Sequence, residues 1–145
     1  MKKVIILTCT LLIMSLGLIA CSQTTELPKE ITYEATYEDF MEGESIRWIA
    51  NAGVGDTIVV TLGSNPTTGF EWSDTVQIRN PKVLKQIDHK FAPPEHTGAL
   101  GASGKDVWTF KTLKAGTAEI SMEYSRPWEG GEKEKWTFVA TITVE

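Results

Sequence analysis

Two strand-like segments, residues 56–62 and 70–72, are separated by the run Gly63-Ser64-Asn65-Pro66-Thr67-Thr68-Gly69. Pro66 fixes its own φ angle and biases the residue before it toward extended backbone, while glycine admits dihedral angles that other residues avoid. The run is therefore expected to form a stiff loop between two β-strands. From its residues alone, the loop is either an ordinary turn or a preformed contact surface that presents two hydroxyl groups.

Outward from this loop, apolar and polar residues alternate along the chain with a period of two, as in strands with one buried face. No segment shows a convincing 3.6-residue period of an amphipathic helix. The pattern predicts an all-β protein, an antiparallel β-sandwich of about seven strands. The seven strands are expected near residues 45–48, 56–62, 70–72, 83–91, 107–110, 118–124 and 136–144.

Three of the connections between these strands have unusual sequences, and they follow strands two, four and six. They are residues 65–69, the glycine-rich stretch 92–105, and residues 125–131. If consecutive strands run in opposite directions, these three loops leave the sandwich at the same end, as the binding loops of immunoglobulin variable domains do. The prediction assumes seven strands, because one extra crossing within residues 73–95 would separate the loops.

The loop tryptophan Trp128 lies between Pro127 and the sequence Glu129-Gly130-Gly131. Its side chain either folds back over the end of the sandwich, which is the commoner fate, or protrudes as a binding anchor. The neighbouring Arg126 favours an anchor, because arginine and tryptophan are enriched at the hot spots of interfaces. The glycine-rich loop is either a flexible connector or a segment whose backbone pairs with a partner.

The sequence opens with Met1-Lys2-Lys3, followed by an apolar run over residues 4–19, the pattern of a secretory leader. The run ends in Leu18-Ile19-Ala20-Cys21, which resembles the lipobox of prokaryotic lipoproteins. The resemblance implies a signal peptide over residues 1–20, a diacylglycerol on the thiol of Cys21, and an extracytoplasmic protein held on a membrane. The alternative is a plain secretory leader with an incidental cysteine.

Residues 22–44 hold seven acidic side chains and one basic side chain. Such a composition is typical of a solvated segment, and it predicts an acidic tether over residues 21–44. The alternation of Ile31, Tyr33, Ala35 and Tyr37 leaves an extra edge strand open as an alternative.

Charge and composition argue against several classes of function. With 19 acidic and 14 basic residues the chain has a formal charge of −5, so no nucleic-acid partner is expected. Both cysteines, Cys9 and Cys21, lie in or at the edge of the leader, which leaves the folded domain without a disulfide or a cysteine nucleophile. The two histidines, His89 and His96, lack the spacing of metal ligands, and no hydrolase motif is present. We therefore expect no enzyme, no metal and no cofactor.

Three motifs, in this order along the chain, resemble those of the chagasin family, proteinaceous inhibitors of papain-like cysteine peptidases. The first, Asn65-Pro66-Thr67-Thr68-Gly69, is complete and is followed by the aromatic Phe70 and the strand residue Trp72. The third, Arg126-Pro127-Trp128, is also complete. The second, Gly-x-Gly-Gly, is matched by Gly101-Ala102-Ser103-Gly104 with serine at its third position. The resemblance covers roughly residues 45–145.

This resemblance implies an immunoglobulin-like sandwich over residues 45–145 whose three loops enter the cleft of a papain-like cysteine peptidase. It implies reversible, non-covalent inhibition by a monomer, with Thr67 and Thr68 nearest the catalytic cysteine and histidine. The implied peptidase-binding residues are Asn65, Pro66, Thr67, Thr68, Gly69, Gly101, Ala102, Ser103, Gly104, Arg126, Pro127 and Trp128. The alternative class is a surface lipoprotein whose immunoglobulin-like domain uses the same loops to bind another protein or a glycan.

Overall fold

A computed structural model describes residues 26–94 and 102–145 of the 145-residue chain. Cys21, the leader and Gly101 lie outside these residues. In this part of the chain, no helix has the length and apolar character needed to cross a membrane. The elements are β1 (Glu30–Ala35), α1 (Tyr37–Glu42), β2 (Ser45–Ala52), β3 (Thr57–Ser64), β4 (Glu71–Trp72), β5 (Gln77–Arg79), β6 (Leu84–Ala92), β7 (Gly104–Thr112), β8 (Gly116–Ser125) and β9 (Trp136–Val144).

The strands form two packed sheets, which confirms the predicted β-sandwich. One sheet has the strand order β1-β3-β7-β6, and the other has the order β2-β9-β8-β4, with β5 also paired to β8. Every second residue of β9, from Trp136 to Val144, is buried between the sheets, as a period of two requires. The pairs β1 with β3 and β2 with β9 are parallel, whereas the other pairs are antiparallel.

The short strands β4 and β5 follow one another along the same edge of β8. Trp72 pairs with Tyr124 and Gln77 pairs with Ser121, both in antiparallel register. Residues 73–76 lie opposite only two residues of β8, so the edge bulges outward and then resumes its direction. β4 and β5 therefore run in the same direction, and β5 adds no extra crossing of the sandwich within residues 73–95. The prediction that the three unusual loops leave at one end required this.

The prediction of a tether over residues 21–44 is wrong for residues 30–42, which belong to the folded domain. β1 pairs with β3 along its whole length, from Glu30 opposite Thr57 to Ala35 opposite Leu62. Its inward-facing side chains pack against the core, and this burial outweighs the acidic composition of the segment. The alternative of an extra edge strand is therefore confirmed, and the domain begins before residue 45.

The helix α1 was not expected, and it begins at a capping box formed by Thr36 and Asp39. The hydroxyl oxygen of Thr36 accepts the backbone N–H of Asp39 at 3.2 Å, and the carboxylate of Asp39 accepts the backbone N–H of Thr36 at 2.7 Å. The helix buries one side chain, Phe40, completely. The segment between β1 and β2 thus covers the core instead of crossing solvent.

An aromatic cluster fills the core beneath the end of the sandwich from which the three loops leave. The ring of Phe40 stacks on Trp136 with centroids 5.3 Å apart and contacts Trp72 at 5.0 Å. Tyr124 also stacks on Trp136, with centroids 4.8 Å apart. Each such aromatic pair stabilises the fold by about 0.5–1.5 kcal/mol beyond the burial of its surface. The cluster therefore ties α1, β4, β8 and β9 together at this end.

Candidate functional site

The three unusual loops leave the sandwich at one end, as the parity of the strands predicts. We define them as loop 1 (residues 65–70), loop 2 (93–103) and loop 3 (126–135). Ser64, directly before loop 1, pairs with Gly104, directly after loop 2. Glu71, directly after loop 1, pairs with Ser125, directly before loop 3. The bases of the three loops are therefore neighbours, with loop 1 bridging the two sheets.

Loop 1 is held in shape by its own hydrogen bonds, most of which converge on Asn65. The side-chain oxygen of Asn65 accepts the hydroxyl of Thr67 at 2.6 Å, and its carbonyl oxygen accepts the hydroxyl of Thr68 at 2.7 Å. Residues 66–68 form a single 3₁₀ turn that ends at Gly69, whose φ is 78° and whose N–H donates to the carbonyl of Pro66 at 3.0 Å. The turn is exposed. A partner therefore meets a preformed loop whose two hydroxyl groups already donate within the loop.

Two aromatic side chains from the opposite sheet fasten the start of loop 1. The indole N–H of Trp72 donates to the carbonyl of Gly63 at 3.0 Å, and the backbone N–H of Asn65 donates to the phenol oxygen of Tyr124 at 2.9 Å. Burial raises the pKa of Tyr124 above its ordinary value of 10.0, so the phenol stays neutral at physiological pH. The loop is thus fixed both by internal bonds and by the aromatic core beneath it.

Loop 3 is a hairpin that is closed by hydrogen bonds within the loop. The backbone N–H of Arg126 donates to the carbonyl of Glu132 at 2.8 Å, and that of Gly131 donates to the carbonyl of Trp128 at 3.1 Å. The ammonium group of Lys133 donates to the carbonyls of Arg126 and Trp128. Nothing in the sequence marks Lys133 for this role, since a lysine beside a glycine turn is usually solvated and belongs to no motif.

Trp128 lies across loop 1 at Gly69, outside the core of the sandwich. A Cβ atom placed on Gly69 would come within 2.8 Å of Cη2 of the indole, which is closer than van der Waals contact allows. The side chain nevertheless remains 51% exposed. The indole is thus supported from below by loop 1 and is half free for a partner, an arrangement between the two alternatives that the sequence left open.

Arg126 joins loop 1 to loop 3. Its guanidinium carbon lies 4.4 Å from the centroid of the Phe70 ring and 5.8 Å from that of Trp128. Its Nη2 atom also donates to the carbonyl of Thr68 at 3.5 Å. A cation placed over an aromatic ring contributes about 0.5–2 kcal/mol, depending on its desolvation. The side chain therefore makes the exposed parts of the two loops one continuous surface.

Of the predicted site residues in loop 2, the structure describes Ala102 and Ser103, which are half-buried, and Gly104, the first residue of β7, which is buried. Gly101 lies outside the described residues. Within residues 26–94 and 102–145, no group of three or more His, Cys, Asp or Glu side chains is placed to hold a metal ion. His89 is engaged elsewhere: its Nε2 lies 2.8 Å from the carboxylate of Asp106, and its ring stacks on Trp108.

Residues 51–142 match the sequence model of the chagasin family peptidase inhibitors, family I42. The chain belongs to the chagasin family. Chagasin of Trypanosoma cruzi is 33% identical to it over 92 residues, which are 61% of this chain and 82% of chagasin. Amoebiasin-2 of Entamoeba histolytica is 33% identical over 78 residues, which are 54% of this chain and 62% of that protein.

Two solved structures share the fold seen here. The cysteine protease inhibitor EhICP2 of Entamoeba histolytica superposes with a TM-score of 0.61 at 22% identity, covering 80% of this chain and 97% of EhICP2. PbICP-C, solved in complex with falcipain-2, gives a TM-score of 0.54 at 16% identity and covers 81% of this chain and 99% of its own. The match to the chagasin family model begins at residue 51, so β1 and α1 precede it.

Proposed function

We propose that this protein is a reversible, non-covalent inhibitor of papain-like cysteine peptidases that blocks the active-site cleft with its three loops. The observation that carries the proposal is the exposed, internally bonded turn of loop 1, with the half-exposed indole of Trp128 packed against its Gly69. Membership of the chagasin family supports the same activity.

The hydrogen bonds of loop 1 explain how it can occupy a peptidase cleft without being cut. A peptidase attacks a carbonyl group of extended backbone held in near-attack geometry. In loop 1 the carbonyls of Asn65 and Pro66 accept backbone N–H groups of the 3₁₀ turn, and that of Thr68 accepts Arg126. The turn therefore keeps these carbonyls away from the extended geometry of a substrate. Because the loop is already ordered, binding costs little conformational entropy.

In the proposed complex each loop has its own part of the cleft. Thr67 and Thr68 lie nearest the catalytic cysteine and histidine, and Arg126 and Trp128 occupy the primed side. The non-primed side takes the second motif, Gly101-Ala102-Ser103-Gly104. No step of this mechanism uses covalent chemistry, a metal or a cofactor.

The test is a titration of papain with residues 22–145, with trypsin as a control peptidase that has a serine nucleophile. We expect tight, reversible inhibition of papain alone, and an inhibitor that mass spectrometry shows to be intact after long incubation. Full papain activity at micromolar inhibitor would contradict the proposal. It would favour a surface domain whose loops bind another protein or a glycan.

A charged substitution maps the loop that enters the cleft. Thr67→Glu should weaken inhibition, because it places a carboxylate against the peptidase nucleophile. Thr117→Glu, on an exposed position of β8, serves as the matched control and should inhibit like the unaltered chain. Unchanged inhibition by Thr67→Glu would mean that loop 1 does not contact the cleft.

We further propose that Cys21 is lipidated and holds a monomeric inhibitor on a membrane outside the cytoplasm. The support is the sequence Leu18-Ile19-Ala20-Cys21 directly after an apolar run. Mass spectrometry of the protein from bacterial membranes should find an acylated N-terminal cysteine, and Cys21→Ser, which lacks the thiol, should carry no lipid. An unmodified Cys21 would leave a plain secretory leader.

A further inference from the structure

We propose that the N-terminal segment β1–α1, residues 30–42, positions loop 1 and is a working part of the inhibitory end. The segment lies outside the part of the chain that matches the family model, and its sequence carries none of the three motifs. The inference rests on the proposed inhibition of cysteine peptidases. Two series of contacts that lead from the segment to loop 1, and the order of the strands, support the proposal.

The backbone of the segment lies directly against the residue that leads into loop 1. A Cβ atom on Gly63 would fall within 2.7 Å of the carbonyl carbon of Thr36 and would overlap the backbone nitrogen of Tyr37. Gly63 is separated from Asn65, where loop 1 begins, by Ser64 alone. The turn from β1 into α1 therefore limits where the end of β3 can lie.

Phe40 of α1 supports the same residue from the core. Its fully buried ring contacts the indole of Trp72 with centroids 5.0 Å apart. The indole N–H of Trp72 in turn donates to the carbonyl of Gly63 at 3.0 Å. Loss of the Phe40 ring would leave Trp72 free to shift, and the hydrogen bond that holds the end of β3 would shift with it.

A second route runs through Trp136, the first residue after loop 3. Tyr37 meets Trp136 edge-on with centroids 4.7 Å apart, and Phe40 stacks on it at 5.3 Å. Trp136 stacks on Tyr124, whose phenol oxygen accepts the backbone N–H of Asn65. The helix thus contacts the residue that follows loop 3 and, through Tyr124, the residue that starts loop 1.

The order of strands places β1 and α1 on one side of loop 1, whereas the base of loop 2 lies on the other side. β3 lies between β1 and β7 in its sheet. Loop 1 is therefore flanked by the base of loop 2 through β7 and by α1 through β1. Without residues 30–42, β3 would be an edge strand, and the aromatic cluster would lose the side chains of Tyr37 and Phe40.

The experiment uses two substitutions in the full chain, purified in detergent, each with a matched control. Phe40→Ala removes the ring beneath loop 1, and Phe110→Ala removes an equally buried ring near the opposite end of β7. Gly63→Ala introduces a Cβ that overlaps Tyr37, whereas Gly43→Ala adds a Cβ with nothing within 4 Å. Phe40→Leu keeps most of the side-chain volume and provides a milder variant that should stay folded.

We expect Phe40→Ala and Gly63→Ala to raise the inhibition constant for papain at least tenfold and to speed amide hydrogen exchange in residues 65–70. Phe40→Leu should restore most of the affinity, and the two controls should inhibit within threefold of the unaltered chain. If Phe40→Ala and Gly63→Ala also inhibit within threefold, or if Phe110→Ala loses as much as Phe40→Ala, the inference is overturned. If the unaltered chain fails to inhibit, the proposed function falls instead, and exchange in loop 1 still decides whether the segment positions the loop.

Discussion

The six-membered ring of Trp128 rests against the α-carbon of Gly69, at the one position of loop 1 that carries no side chain. A Cβ atom on residue 69 would lie 2.8 Å from Cη2 of the indole. Gly69 also has a φ of 78°, in the left-handed region that L-residues rarely adopt. Glycine at this position therefore serves two purposes, the end of the turn in loop 1 and the seat of the indole.

These two purposes can be separated with a matched pair of substitutions. Gly69→Ala should destabilise the protein by about 1–2 kcal/mol through its left-handed backbone and should also weaken papain inhibition more than tenfold by displacing Trp128. Gly55→Ala has the same backbone strain, with a φ of 90°, but no atom within 4 Å of its Cβ. In urea unfolding, Gly55→Ala should lower the free energy of unfolding by a similar amount. Its inhibition of papain should be unchanged. Equal inhibition by both variants would mean that the contact between Trp128 and residue 69 does not contribute to inhibition.

Trp128→Ala should weaken binding to the peptidase by roughly 2–4 kcal/mol if the indole is an anchor. Because half of the indole is exposed, its loss should change the melting temperature little. The two quantities are measured by inhibition kinetics and by thermal unfolding of the free protein. A large fall in melting temperature with unchanged binding would instead identify Trp128 as a cap on the core.

Thr68→Val replaces the Thr68 hydroxyl group with a methyl group of similar size. The hydroxyl donates to the carbonyl of Asn65 and accepts the N–H of Phe70 at 3.4 Å. Its loss should cost about 1 kcal/mol per bond and let the loop open, so that papain slowly cuts within residues 65–69. Thr68→Ser keeps the hydroxyl and should remain intact. Mass spectrometry of both variants after overnight incubation distinguishes them, and an intact Thr68→Val would contradict the role given to these bonds.

Asp56 should make the stability of the fold depend on pH in the acid range. Its carboxylate accepts the backbone N–H groups of Gly53 at 2.7 Å and Lys29 at 2.8 Å. These bonds, with that from Lys29 the larger effect, hold the pKa of the Asp56 carboxyl below its ordinary value of 3.8. A lowered pKa in the folded state stabilises the fold above about pH 4, and this contribution is lost as the pH falls through the folded-state pKa. In urea unfolding, Asp56→Ala should therefore be less stable than the unaltered chain at pH 7, with a difference that shrinks below pH 4; a constant difference would contradict this.

The sandwich could be predicted because its period of two is strong in β3, β8 and β9, where burial alternates along most of each strand. The composition of residues 30–42 wrongly predicts a tether because charged residues dominate it, although Ile31 and Tyr33 pack against the core. Its sequence did hold a usable signal for α1. Thr36 and Asp39 have the spacing of a capping box, which marks the start of a helix even where the apolar pattern is weak.

The gathering of the loops at one end followed from strand parity, because parity depends only on the number of crossings. The contact between Trp128 and Gly69 could not follow from it, since it depends on a side-chain rotamer and on the closure of loop 3 by Lys133. Arg126 illustrates the same limit. The sequence indicated a hot-spot residue, but not that its guanidinium lies over Phe70 and bonds to loop 1.

The chain enters the sandwich at the pole away from the loops. The carbonyl of Lys29, just before β1, accepts the N–H of Thr57 at the start of β3, whereas loop 1 follows the other end of that strand, about 25 Å away at about 3.3 Å per residue. If Cys21 is lipidated, the seven residues 22–28 can span at most about 25 Å between the lipid and the sandwich. An inhibitor held this way would be attached at the pole opposite its blocking surface, which would leave loops 1 and 3 accessible to peptidases in the surroundings.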